Sequence, residues 1–350
     1  MAKDKILFIG GSLNMTRMVH EVSKHLAGEY DCYFTPFYTD GLYDILARHT
    51  DLMDFNVLGT NGPFRKATDA YLQEHNLPVD WRGDGHDYAL YVTTSDLYVP
   101  KNIRKKPFIL IQEGMTDPEG LMFYLVKYLK LPRYFASTST NGLSNQFVHF
   151  CVASQGYRDF FIRKGVRPEK PIATGIPNFD NCASYRDNDF PYKNFVLVAT
   201  SDARETYKFD NRKKFIRNAL DIADGRQLIF KLHPNEKVDR ATREILDLVP
   251  NALIYTSGKV EHMIANCDVL ICQYSTLVYV GLALGKECHS YFNLDELRRM
   301  IPYQNGGTSA RNIAQVCRHV LRGETVDPLE FVPEPEALLD ESIAYVGARA

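Results

Sequence analysis

The sequence lacks long hydrophobic runs and an excess of charge of either sign. No apolar stretch approaches the roughly 18 residues that a membrane-spanning helix needs, so we expect no integral membrane segment. The formal net charge is only −2, which gives no overall field that would gather nucleic acid or an anionic membrane. We therefore expect no nucleic-acid partner, and a phosphate-bearing ligand must be held by local groups.

Paired cysteines are also missing. The seven cysteines form no CxxC pair and no metal-ligand spacing, and four of them lie in or beside apolar runs, where a free cysteine behaves as a small hydrophobic residue. Their odd number and the absence of a signal peptide favour a reducing compartment. We predict a cytoplasmic protein with no metal site, and we leave open whether it docks on the inner membrane.

The length of the chain predicts two domains. At 350 residues it exceeds the size at which single hydrophobic cores usually stop growing. Hydrophobic residues make up 45% and charged residues 24% of the chain, which is ordinary globular composition. Residues 5–9 predict a strand that runs into Gly10, Gly11 and Ser12, and apolar residues then recur at helical spacing. Strand, glycine turn and helix form the opening unit of a doubly wound sheet.

Short apolar runs alternate with amphipathic segments along the rest of the chain. This alternation indicates parallel sheets buried on both faces, and a polar, aperiodic stretch at residues 182–191 predicts a linker between them. We predict the α/β class, with two Rossmann-like doubly wound domains facing a cleft, where ligands bind beyond the carboxyl ends of the strands. The expected limits are residues 1–180, residues 190–330, and a tail at 331–350 whose helix covers 336–346.

The most specific segment is Lys-Leu-His-Pro-Asn-Glu at residues 231–236. His233 comes directly after a predicted strand, and Pro234 and Asn235 shape the turn into the next helix. An imidazole at that point can face the cleft, while the helix N-terminus presents free N–H groups to an anion. The alternative is a surface-loop histidine without a function.

A second segment, residues 268–276, ends in a similar way. A buried strand leads to Gln273, Ser275 and Thr276, and an apolar helix follows. Hydroxyls at a helix start can hold phosphate, although either hydroxyl can also serve as an N-cap only. Because both segments belong to βα units of one domain, we expect them to share one nucleotide site.

These segments, with residues 154–165 and 173–180, carry a resemblance to a known group. The chain resembles the GT-B superfamily branch that contains UDP-N-acetylglucosamine 2-epimerases, CDP-glycerol glycerophosphotransferases and bacterial CMP-sugar transferases with a His-Pro motif. The resemblance spans roughly residues 85–290. It implies a two-domain GT-B fold in which the second domain binds the nucleotide through His233, the following turn, Ser275 and Thr276.

Glu113 is the main candidate for acid–base chemistry. It follows the apolar strand at residues 107–111, and a carboxylate with a raised pKa in a closed cleft can take a proton from an acceptor hydroxyl. The resemblance supports this role, because the epimerases carry a Glu and the glycerophosphotransferases a His near this point, and it aligns Asp96 with an acidic residue of the epimerases. The alternative is that an acid here, such as Asp117, caps a helix.

Four further residues complete the predicted site. Gly11 and Ser12 resemble the glycine-rich first turn of these N-terminal domains. Asp202 and Arg204 follow the first strand of the second domain, and residues at this point face the cleft in such folds. Arg204 can neutralise a diphosphate and Asp202 is a further catalytic acid to test, with a solvated loop charge as the alternative for both.

We predict a metal-independent glycosyltransferase of bacterial surface glycan synthesis. Its partners are a CMP-, CDP- or UDP-activated sugar and a glycan or lipid-linked acceptor, and no cofactor is expected. The epimerases' Glu-Ala-Gly-Leu-Arg run is Glu-Gly-Met-Thr-Asp here, and their Asp-Ser-Gly-Gly run is Gln-Tyr-Ser-Thr-Leu, which favours transfer over epimerisation. A UDP-sugar 2-epimerase, a polyol-phosphate transferase and a non-catalytic nucleotide-sugar-binding subunit stay open as alternatives, as does a homodimer.

Overall fold

The computed structural model describes residues 3–49, 57, 59–205 and 209–333. Strands and helices alternate along these residues. The described strands are β1 Lys5–Gly10, β2 Asp31–Pro36, β3 Leu90–Thr93, β4 Phe108–Ile111, β5 His149–Val152, β6 Pro171–Ala173, β7 Val196–Ala199, β8 Leu228–Lys231, β9 Leu253–Tyr255, β10 Val269–Cys272 and β11 Glu287–His289. The described helices are α1 Leu13–Lys24, α2 Leu42–His49, α3 Pro63–Glu74, α4 Leu121–Leu129, α5 Gln155–Lys164, α6 Arg212–Ala223, α7 Val238–Leu246, α8 Val260–Asn266, α9 Leu277–Ala283, α10 Leu294–Arg299 and α11 Ser309–Arg322.

The first compact unit contains the described residues up to Asp180 together with Asn305–Pro333. Its sheet has the strand order β2-β1-β3-β4-β5-β6, and all of these strand pairs are parallel. The central strands β3 and β4 are buried along their whole length, as continuous apolar runs in a parallel sheet require. The loops after β1, β4 and β6 therefore leave the sheet at the same edge.

The second compact unit contains the described residues of Asn181–Gln304. Its parallel sheet has the order β11-β10-β7-β8-β9, and its core gathers apolar side chains of β7, β8, α6 and α7 around Phe215 and Phe230. Because β7 lies between β10 and β8, the loops after these three strands leave the sheet side by side. The two parallel sheets with alternating helices confirm the predicted α/β class and its Rossmann-like organisation.

Helix α11 belongs to a different unit from the one that the predicted domain limits give it. The sequence predicts one domain over residues 190–330, whereas Asn305–Pro333 belongs to the first unit. The Asp180 carboxylate accepts the N–H of Ser309 at the start of α11, at 2.8 Å, where the helix dipole favours a negative charge. Farther along α11, Arg318 donates to the carbonyl oxygen of His25 at the end of α1. Helical periodicity can indicate a helix at Ser309–Arg322, but it does not tell which sheet the apolar face of that helix covers. The predicted tail helix at 336–346 lies outside the described residues.

Candidate functional site

Glu113 lies directly beyond β4 in the first unit and is held from the first turn of α1. The hydroxyl of Ser12 donates to Glu113 Oε1 at 3.2 Å, and the same hydroxyl accepts the N–H of Met15 as the N-cap of α1. Gly11 precedes it, and a Cβ there would lie 2.5 Å from the sulfur of Met15, so a larger residue would require the Met15 side chain to move. The predicted residues Gly11 and Ser12 thus form the support of Glu113.

The surroundings of the Glu113 side chain favour the protonated form of its carboxyl group. Burial raises the pKa of its carboxyl, and hydrogen bonds from the side chains of Ser12 and Asn14 oppose that rise. Asn178, from the loop after β6, donates to the Glu113 carbonyl oxygen at 3.0 Å. A carboxylate whose pKa is raised toward the working pH, on a backbone held in place, has the properties of a general base.

A small pocket with a mixed polar and apolar lining adjoins Glu113. Its lining includes Gln112, Thr94 and Asn141. Gln112 fixes the loop by accepting the N–H of Ala153 and donating to the carbonyl oxygen of Gly114. Among the described residues, Thr94 Oγ1 and Asn141 Oδ1 are buried without a hydrogen-bond partner. Buried polar atoms are seldom left unpaired, and a space of this small size suits an ordered water that bonds to them.

Asp96 has a different setting from the one predicted. The residue is buried, and its two carboxylate oxygens accept the backbone N–H groups of Gly142 and Ser144 at 2.8 and 3.0 Å. Its own carbonyl oxygen accepts from the guanidinium of Arg133. These contacts fasten the segment between α4 and β5 to the end of β3, so Asp96 holds a loop and both of its oxygens are already engaged.

In the second unit, the loops after β7 and β8 bring His233, Asp202 and Asn235 together. Asn235 donates to Asp202 Oδ2 at 2.9 Å, and His233 Nδ1 lies 3.7 Å from the same oxygen. The backbone N–H of Asn235 donates to His233 Nδ1 at 3.2 Å. A neutral imidazole that accepts at Nδ1 carries its proton on Nε2. Among the described residues Nε2 has no partner, which leaves it free to donate to a ligand.

Glu236 anchors this turn, and no role was predicted for it from the sequence. Its carboxylate is buried, accepts from Arg212 at 2.6 Å, and receives the hydroxyl of Thr200 and the N–H of His233. A buried carboxylate keeps its charge only when it is paired and hydrogen-bonded. The signal for it was its place in the His-Pro-Asn-Glu run, where an acid at the end of a turn can reach back to the strand.

The loop after β10 joins the same edge through Gln273. Its side chain accepts from the hydroxyl of Ser201 at 2.5 Å and donates to Asp210 at 2.8 Å. Gln273 is itself buried, so it links the loop after β10 to the loop after β7 and lies beneath the surface. The predicted nearness of the 231–236 and 268–276 segments follows from β8 and β10 both bordering β7.

Ser275, Thr276 and Pro234 lie farther out. Ser275 Oγ accepts the N–H of Leu277 at 3.3 Å, and Thr276 stands at the N-cap of α9 without a side-chain cap bond. Pro234 is exposed beside His233. Local capping accounts for the contact of Ser275, whereas the exposed hydroxyl of Thr276 is available to a ligand.

Arg204 is directed into the protein, although the sequence predicts that it meets a diphosphate. Its guanidinium donates to Glu244 at 2.8 Å and lies 3.6 Å from Asp210. The hydrogen bond from Arg204, together with its charge, holds the pKa of the Glu244 carboxyl below its usual range. Acids of its own unit thus already neutralise the charge of Arg204.

Among the described residues, no group of three or more His, Cys, Asp or Glu side chains is arranged to hold a metal ion.

No family model matches the chain, and no curated protein matches its sequence. Solved structures do match. The putative UDP-N-acetylglucosamine 2-epimerase of Listeria monocytogenes superposes with a TM-score of 0.56 at 12% identity, covering 93% of this chain and 98% of that one. The S. aureus MnaA–UDP co-structure gives a TM-score of 0.55 at 12% identity, over 93% and 92% of the two chains.

A third solved structure is the UDP-GlcNAc 2-epimerase of Neisseria meningitidis bound to UDP-GlcNAc. It matches with a TM-score of 0.51 at 12% identity, over 90% of this chain and 99% of that one. At such identities the likeness concerns the fold. The chain has the GT-B fold, in agreement with the resemblance of its motifs.

Proposed function

We propose that the chain is a glycosyltransferase that moves a sugar from a nucleotide-activated donor to a hydroxyl of a glycan or lipid-linked acceptor, in bacterial surface glycan synthesis. The observation that carries this proposal is the setting of Glu113. Burial raises the pKa of its carboxyl, Ser12 orients it, and unpaired polar atoms line the pocket next to it. A raised pKa and a fixed orientation are the features that a general base for an acceptor hydroxyl needs.

We assign the donor nucleotide to the second unit. His233 offers a free Nε2–H, and its turn is held by Asp202, Asn235 and the buried Glu236. A hydrogen-bond donor that is held in a fixed position, such as this N–H group, can stabilise the negative charge that develops on a departing phosphate. The MnaA structure contains UDP and the Neisseria structure contains UDP-GlcNAc, so uridine nucleotides are the first to test, before CMP and CDP.

The proposed reaction is a single displacement at the anomeric carbon of the donor sugar. The Glu113 carboxylate takes the proton of the acceptor hydroxyl, and the acceptor oxygen forms a bond to the anomeric carbon of the donor sugar. The bond between that carbon and the phosphate oxygen breaks, and its electron pair leaves on the nucleotide. His233 Nε2–H then donates to the departing phosphate. A uridine-sugar 2-epimerase is the second candidate, because the solved structures with the same fold include enzymes of that name.

Nucleotide binding and product analysis test the proposal together. Purified protein is screened by thermal shift with CMP, CDP, UDP and GDP, and the sugar donors of the binding nucleotide are then supplied with and without acceptor glycans. The proposal expects one pyrimidine nucleotide to raise the melting temperature, and labelled sugar to appear on the acceptor. Conversion of the free donor to its C2 epimer without an acceptor identifies the second candidate. Binding of none of these nucleotides rejects both.

A further inference from the structure

Helix α4 presents an apolar face away from the protein. Leu121, Tyr128 and Leu129 are 77%, 72% and 64% exposed. They lie outside the buried side of the helix, where Phe123 and Val126 pack onto the first unit. Met122 and Tyr124 also belong to the exposed side, as do two residues in the segment that follows, Leu131 and Phe135. We call these seven exposed residues the α4 surface.

The α4 surface is unusual for a helix in contact with water. A helix at the surface of a globular protein normally carries charged and polar residues on its outward side, whereas Lys127 is the one charged residue within α4. A contiguous exposed apolar patch of this kind marks an interaction site. Among the described residues no helix is long and apolar enough to cross a membrane, and α4, with nine residues, spans only about 14 Å.

We propose that the α4 surface docks on a lipid bilayer that carries anionic headgroups. Residues 121–135 contain no acid, and the exposed Lys127 and Lys130 give the segment a positive charge that matches an anionic membrane. Lys127 also donates to the carbonyl oxygen of Lys164, and the third basic residue, Arg133, turns inward to the carbonyl oxygen of Asp96. Interfacial helices combine an apolar face with flanking Lys or Arg in this way. Tyr124 and Tyr128 suit the headgroup level, because a tyrosine ring is apolar while its hydroxyl stays hydrated.

A second copy of the chain fits this surface less well. A two-fold interface would place the α4 surface against itself, and the exposed residues Lys127 and Lys130 of both copies would then approach each other without acids between them. The nearest acids along the chain, Asp117 and Glu119, precede the helix, and Asp117 is occupied by the hydroxyl of Thr138 at 2.9 Å. The net charge of the whole chain is near zero, so attraction to the membrane has to be local.

Vesicle flotation of the full chain tests this proposal. The probes are phosphatidylcholine vesicles with and without phosphatidylglycerol, at low and high salt. The protein is expected to float with the anionic vesicles and to be released by salt. The triple variant Leu121→Ser/Tyr128→Ser/Leu129→Ser should bind at least about a hundredfold more weakly, because three exposed apolar side chains no longer enter the lipid.

A matched control is available on helices α6 and α7 of the second unit. The triple variant Leu220→Ser/Val238→Ser/Leu246→Ser removes three partly exposed apolar side chains and should bind vesicles like the unaltered protein. Reversing one charge with Lys130→Glu, whose side chain is exposed, should weaken binding to anionic vesicles about tenfold and leave binding to neutral vesicles unchanged.

Three results would overturn the proposal. The first is failure of the unaltered protein to bind anionic vesicles. The second is equal binding by the α4 triple variant, with its folding confirmed by circular dichroism. The third is a fall of the solution mass from dimer to monomer in that variant, which would make the α4 surface an interface between copies. If the triple variant does not fold, the Lys130→Glu variant and the salt dependence of the unaltered protein still decide the outcome.

Discussion

The hydroxyl of Ser12 and the carboxylate of Glu113 meet at 3.2 Å across 101 residues of sequence. The contact joins the N-cap of α1 to the end of β4. One hydroxyl therefore serves both the start of a helix and the position of the proposed base. Two consequences of this double role can be separated by experiment, namely a loss of helix stability and a change in the pKa of Glu113.

Replacing Ser12 with alanine is expected to move the pH profile of the enzyme. Burial raises the pKa of the Glu113 carboxyl, and the hydrogen bond from Ser12 opposes that rise, so Ser12→Ala raises the pKa further. A general base works only when it is ionised, and activity is lost as the pH falls through its pKa. The acid limb of kcat/KM should therefore shift to higher pH, and the free energy of unfolding should fall by about 1 kcal/mol from the lost cap.

The control for this variant is Ser154→Ala. Ser154 caps α5 by accepting the N–H of Tyr157, so its loss should cost a similar free energy of unfolding. The pH profile should not move. An unshifted profile in Ser12→Ala, or an equal shift in Ser154→Ala, would contradict the role given to Ser12.

His233 is expected to contribute to nucleotide affinity through Nε2. Because Nδ1 already accepts the N–H of Asn235, the free Nε2–H is the ring's donor to a ligand phosphate. Isothermal titration with the binding nucleotide should show an affinity about tenfold lower in His233→Ala, as the loss of one hydrogen bond to a charged group predicts. His289→Ala, on β11 of the same sheet, should bind like the unaltered protein. Unchanged affinity in His233→Ala would remove this residue from the site.

Glu236 is expected to be important for folding of the second unit. Its carboxylate and Arg212 form a buried pair at 2.6 Å, so Glu236→Gln leaves a buried guanidinium with Asp210 as its one remaining acid. We expect the free energy of unfolding in urea to fall by about 3 kcal/mol. Asp295→Asn breaks the exposed pair with Arg298 and should change it by less than about 1 kcal/mol. An equal loss of unfolding free energy in the two variants would show that the buried pair stabilises the unit no more than an exposed pair does.

Gly175 is expected to be indispensable for the docking of α11. Its φ is +75°, and a Cβ there would lie 2.2 Å from Ser309 Oγ, at the start of α11. Gly175→Ala should therefore lower the melting temperature more than Gly323→Ala, which has a φ of +69° but open space around it. Backbone strain alone costs about 1 kcal/mol, and the steric overlap adds to it only at Gly175. Equal shifts would mean that the segment before α11 moves freely out of the way.

The strand and helix pattern of this chain could be predicted because it depends on local hydrophobic periodicity. Continuous apolar runs such as that of β4 are explained by burial on both faces of a parallel sheet. The position of α11 could not be predicted in this way. It depends on Asp180 meeting the N–H of Ser309, a contact between residues far apart in sequence.

The candidate site shows the same division. The segment around His233 could be singled out because histidine, proline and asparagine directly follow a strand, and Glu113 because it ends another. Which acids are free to react could not be read from the sequence. Asp96 looks equivalent to Glu113 along the chain, yet both of its oxygens accept backbone N–H groups. Arg204 looks available to a phosphate, yet it pairs with Glu244.

The most direct test of the proposed function is the turnover of Glu113→Gln. The variant keeps the size of the side chain but cannot take a proton, while donor binding is assigned to the second unit. With a labelled nucleotide sugar and acceptor, kcat should fall at least about a hundredfold, and the dissociation constant of the nucleotide should stay the same. The exposed neighbour Glu119 gives the control Glu119→Gln, which should retain full activity. Retention of most turnover in a folded Glu113→Gln protein would contradict the central claim.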